Sequence, residues 1–124
     1  MIAKTYVNSE IGKIVLDEST ITSIKWINEN GIDIEMEIDW CGQEDLKKEI
    51  DFLSVKTRLL FHFVSDINFN FQHQGTYTIG ALEISDFKFH AIGNQYSIAF
   101  RFDFQPVGHI KFICNDFDFI IEEM

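Results

Sequence analysis

Apolar and polar residues alternate along much of this chain, the signature of β-strands that bury one face. The clearest run sets Ile32, Ile34, Met36, Ile38 and Trp40 between Asp33, Glu35, Glu37 and Asp39. Thr20 to Asn28 precedes it. A three-residue loop, Glu29-Asn30-Gly31, pairs Trp26 with Ile34, Ile24 with Met36 and Lys25 with Glu35, and sets Gly31 where a left-handed residue is wanted.

The last third of the chain reads as a four-strand meander. A turn at Gly93-Asn94 aligns Ala91 with Tyr96, Phe89 with Ile98, Phe87 with Phe100 and Asp86 with Arg101. A loop at Pro106-Val107-Gly108 then pairs Phe104 with Ile110, Phe102 with Phe112, Phe100 with Cys114 and Asp103 with Lys111. A third turn, Asn115-Asp116, sets Cys114 against Phe117, Phe112 against Phe119 and Ile110 against Ile121.

Val55 to Val64, with Leu59, Phe61 and Phe63 on one face, and Ile67 to Gln72, with Ile67, Phe69 and Phe71, are two further strands. Ile11 to Asp17 and Ala3 to Val7 are weaker ones. At most one short helix fits, over about 43–53, where Leu46, Ile50 and Leu53 recur at helical spacing behind Glu44 and Asp45. No linker or repeat divides the chain. The pattern predicts a single domain over 1–124, mainly β, folded as an antiparallel two-layer sandwich or a flattened barrel.

Composition adds a core of large flat side chains. Thirteen of the 124 residues are Phe, and all but Phe52 lie at or after Phe61. Such a Phe-rich face either fills a core or walls the cavity of a small-molecule carrier, and alternation is the same in both. No apolar run approaches the roughly 20 residues that span a bilayer, and the opening residues lack the apolar block of a secretory signal. The expectation is a cytoplasmic protein without a membrane partner.

Twenty acids against ten bases give a formal charge of −10, which repels nucleic acid and favours basic partners. Asp33, Glu35, Glu37 and Asp39 concentrate this charge on one strand face, about 7 Å apart at two residues per repeat. Such a ladder suits a basic protein surface. It suits a cation poorly, because calcium ligands converge from a tight loop.

No catalytic constellation emerges. His62, His73, His90 and His109 are scattered without metal-ligand spacing, Cys41 has no local His to activate it, and Cys114 alternates with Phe112 as a core residue. No glycine-rich phosphate loop or nucleophile elbow occurs. No cofactor, metal or catalytic residue is expected, and an enzyme of unrecognised type stays only as an alternative.

The order of segments is an early hairpin with an acidic strand, then Leu59-Leu60-Phe61-His62-Phe63-Val64, then a closing stretch through Ile110-Lys111-Phe112-Ile113-Cys114. In this the chain resembles small acidic bacterial immunity proteins, the partners of contact-dependent or polymorphic toxins. The resemblance implies a non-enzymatic domain that neutralises a basic toxin through an acidic surface. It carries over no functional residue.

Overall fold

The computed structural model describes residues 2–27, 32–43, 55–72, 82–104 and 106–123. They form ten strands: β1 (Ile2–Val7), β2 (Thr20–Ile27), β3 (Asp33–Asp39), β4 (Val55–His62), β5 (Ser65–Gln72), β6 (Leu82–Glu83), β7 (Asp86–Ile92), β8 (Gln95–Phe102), β9 (Val107–Cys114) and β10 (Asp116–Glu123). Six build one antiparallel sheet in the order β1-β10-β4-β3-β2-β6, and four build another in the order β5-β9-β8-β7. The chain is thus a two-layer β-sandwich. The helix expected over 43–53 falls, but for Gln43, outside the described residues, as does the loop Glu29-Asn30-Gly31.

The β2–β3 hairpin has the register that alternation predicts, with Trp26 opposite Ile34, Lys25 opposite Glu35 and Ile24 opposite Met36. The β7–β8 hairpin does too: Phe87 faces Phe100 and Asp86 faces Arg101, around a turn whose Gly93 has φ +57°. That left-handed backbone is what a two-residue hairpin turn asks of its first residue.

Two features of the predicted meander are corrected. In the β8–β9 pair, Phe102 lies opposite Gly108, Phe100 opposite Ile110 and Ile98 opposite Phe112, four residues out of the predicted alignment. Gly108 belongs in the strand, where a Cβ would lie 2.7 Å from the Phe71 Cα and closer still to the Asn70 carbonyl oxygen of β5. Asp103 leaves the ladder, donating its N–H to Ser85 Oγ at 2.8 Å, and Phe104 is carried out to 64% exposure.

The fourth strand, β10, leaves the meander altogether. Both edges of β9 are occupied, by β8 and β5, so the chain crosses to the facing sheet at Asn115, whose N–H donates to the His62 carbonyl. There β10 pairs with β4, Phe117 opposite Phe61 and Phe119 opposite Leu59, and with β1 on its other edge. Phe117, Phe119 and Ile121 are buried as alternation requires, because either sheet points them at the same core.

At the front, β1 forms where Ala3 to Val7 is expected, but Ile11 to Asp17 is not a strand. Asn8–Lys13 is a 3-10 helix, with Glu10 accepting the Val7 N–H, and it leads into an irregular stretch that buries Ile14 and Leu16. Strand β4 ends one residue before Phe63, which sits at φ +52° where the chain crosses to the second sheet.

Between the sheets the aromatic rings meet one another. Phe61 lies 4.8 Å from Phe112, 5.7 Å from Phe117 and 6.3 Å from Phe100, centroid to centroid, and Phe87 lies 4.8 Å from Phe100. These distances are those of packed aromatic pairs. Among the described residues, no helix is long and apolar enough to cross a membrane.

Candidate functional site

Strand β3 alternates Ile34, Met36 and Ile38 into the core, so Asp33, Glu35, Glu37 and Asp39 stand together on the outer face of the six-stranded sheet. The neighbouring outer positions of β4 are Lys56, Arg58, Leu60 and His62, and β10 adds Asp118 and Glu122 on the far side of β4. Strand β4 therefore runs as a line of cationic and imidazole groups between two acidic rows.

The charges pair across the strands. Arg58 reaches Glu35 through Nη1 at 2.9 Å and Glu122 through Nη2 at 2.7 Å. The Glu35 hydrogen bond outweighs burial and holds the guanidinium above its already high range. Glu37 receives Lys25 at 3.6 Å and Lys56 at 3.9 Å. Asp39 is exposed and carries no ion pair among the described residues.

His62 sits between two carboxylates, Nδ1 3.2 Å from Asp33 Oδ2 and Nε2 3.2 Å from Asp118 Oδ2. Burial acts to lower its pKa, but hydrogen bonds to Asp118 and Asp33, with the charges of Asp116 and Asp33, prevail and raise it. Only the imidazolium can donate from both nitrogens. The second Asp33 oxygen accepts the Phe63 N–H at 3.0 Å.

The four predicted acids thus share one face, and three of them are tied to cations or to His62. Sequence reasoning misses Asp118, Glu122, Arg58 and His62 as members of the same surface. Their outward parity is visible in the sequence, but the placement of β10 beside β4 is not.

At the Asp33 end, the acidic face adjoins exposed apolar groups. Ile32, which precedes Asp33, accepts the Val64 N–H at its carbonyl, and the intervening Phe63 is 50% exposed. Trp26, opposite Ile34, is 52% exposed and stacks on Phe69 of β5 with centroids 6.4 Å apart. Trp26 and Phe63 are expected inside by alternation alone. Trp26 keeps its inward side opposite Ile34 and is only partly covered, by Phe69, whereas Phe63 is turned out at φ +52°.

The remaining candidates stay apart. On the four-stranded sheet, His90 is opposite Ser97 and exposed, and His109 is opposite Arg101. His73 lies outside the described residues. Cys114 is in the core, its thiol pushed up to about 12 by burial and secondarily by Asp116, which makes it inert as a nucleophile. Cys41 is exposed and bonds the Glu18 carbonyl. Among the described residues, no three His, Cys, Asp or Glu side chains converge as a metal site would require.

No protein-family model matches this sequence, and no curated protein or solved structure matches it with significance.

Proposed function

We propose that this chain is a non-enzymatic protein-binding domain, an immunity-type inhibitor that acts in the cytoplasm and engages a basic polypeptide through the outer face of its six-stranded sheet. One observation carries the reading. The carboxylates of Asp33, Glu35, Glu37, Asp39, Asp118 and Glu122 share that face with the cations of Lys25, Lys56 and Arg58, and its Asp33 end lies beside exposed Ile32 and Phe63, with exposed Trp26 on the inner side of the same sheet. A charged field beside aromatic anchors is the anatomy of protein interfaces, where the field speeds encounter and the anchors supply affinity.

Phe63 supports the same reading. A bulky residue at positive φ is strained, and strain of this kind gathers at functional positions. Here it holds an aromatic ring in solvent beside the acidic row. The alternative of a carrier with an aromatic-lined cavity has less support, since Phe61 meets Phe100 and Phe112, and Phe117 meets Phe89, across the interior.

The test is affinity capture from the source cells, followed by kinetics with the purified partner. The reading expects a basic polypeptide whose association slows steeply with salt and weakens in Asp39→Lys. A captured partner that is acidic, or whose binding ignores both salt and this substitution, overturns it.

A further inference from the structure

The four-stranded sheet carries a second surface of opposite character. Its outer face is concave, with a cavity of about 480 Å³. The cross-strand register sets its centre: Ala99 of β8 lies between Lys88 of β7 and Lys111 of β9, and one step along the strands Arg101 lies between Asp86 and His109, with Asn70 of β5 beyond. A small residue flanked by long ones makes the hollow.

Its polar groups divide into two sets. On the β7–β8 side, Arg101 holds Asp86 at 3.6 Å and Asp103 at 3.1 Å, and Lys88 reaches Asp86 at 3.5 Å. On the β5–β9 side, the side chains of Asn70, Gln72, His109 and Lys111 also line the hollow, and among the described residues no hydrogen bond or ion pair engages them. Uncommitted donors and acceptors thus face a hollow whose Lys and Arg cations outnumber its carboxylates, in a chain of net charge −10. An anion concentrates where the local field is positive.

We propose that this hollow binds a small hydroxylated anion, a sugar acid or sugar phosphate, with its charged group at Lys111 and Lys88 and its hydroxyls on the amides and the Asp86 and Asp103 carboxylates. The volume lies within the range of small-molecule sites, roughly 300–1,000 Å³. The free lone pairs of the two carboxylates and the amides of Asn70 and Gln72 suit hydroxyl groups, which a bare inorganic anion lacks. This site is on the opposite face of the sandwich from the acidic row and does not depend on that row's function.

The test is titration of the full chain, observed by amide NMR, with glucuronate, glucose 6-phosphate, glucose and inorganic phosphate. Saturable shifts at Ala99, Arg101, His109 and Lys111 are expected with at least one of the two sugar anions, about tenfold tighter than with glucose or phosphate, a difference of about 1.4 kcal/mol. Glucuronate alone would assign a carboxylate ligand, and glucose 6-phosphate alone a phosphate ester. Lys111→Ala should weaken binding about tenfold and Ala99→Leu should abolish it, with Lys88→Ala as a second probe should Ala99→Leu disturb the native spectrum. Asp39→Lys should leave it unchanged. The proposal is overturned by no saturable shift with either sugar anion, by shifts mapping elsewhere, by equal binding of glucose or phosphate, or by binding that survives Lys111→Ala and Lys88→Ala.

Discussion

His62 and Asp33 meet at 3.2 Å across the β3–β4 pair, and the far nitrogen of the same ring lies 3.2 Å from Asp118 of β10. One imidazole thereby joins three adjacent strands. Its pKa is raised in the folded chain, so its stabilising contribution is full below the unfolded value of about 6.5 and is lost as pH climbs through the raised value. Urea unfolding of the wild type and of His62→Gln should differ most near and below the ordinary imidazole value of about 6.5 and converge as pH rises past the raised value. A gap that widens with rising pH would contradict the bridged imidazolium.

Phe63 offers a trade between stability and binding. Left-handed backbone costs a non-glycine residue about 1–2 kcal/mol, and the ring is half-exposed, so little burial is lost with it. Phe63→Gly should raise the urea midpoint by an amount worth about 1 kcal/mol while weakening the complex with the partner. A destabilised variant would show that the ring is held by packing rather than displayed.

The β8–β9 register makes neighbouring aromatics unequal. Phe102 is buried and Phe104 is exposed. Phe102→Ala should cost about 3–5 kcal/mol by loss of buried surface and the cavity left behind. Phe104→Ala should cost about 0.5 kcal/mol or less. Equal losses in chemical denaturation would favour the alignment that sets Phe104 opposite Ile110.

Gly108 permits the close approach of β9 to β5. Because an added Cβ would meet backbone atoms of Asn70 and Phe71, Gly108→Ala should cost about 1–3 kcal/mol, as overpacking does, and should speed hydrogen exchange of the β5 amides. Unchanged exchange in β5 would show that the strands can part without consequence.

How far the sequence carries can be argued from these same residues. Trp26, Lys25 and Ile24 find their predicted partners because a hairpin is local and two faces must agree at once. The β8–β9 alignment slips by four residues, since a shift by an even number keeps every inward residue inward and the pattern cannot resist it. Cys114 and Phe117 read the same whether β10 folds back in its own sheet or crosses to the other. That ambiguity hides the Asp33–His62–Asp118 cluster, whose members come from three strands brought together by the crossing. The acid row on β3 and its hairpin neighbour Lys25 are legible from local sequence, whereas Lys56, Arg58 and His62 are not, because β4 becomes the row's neighbour only through tertiary pairing.

The most direct test of the acidic face is the association rate of the captured partner, measured from about 0.05 to about 0.5 M salt with wild type and with Glu37→Lys/Asp39→Lys. Screening shortens from roughly 14 Å to roughly 4 Å over this range, so a steered encounter must slow. The account predicts at least a tenfold fall in rate for wild type and a much flatter, slower response in the variant. A rate that is indifferent to salt, or identical in the two proteins, would contradict a function based on this face.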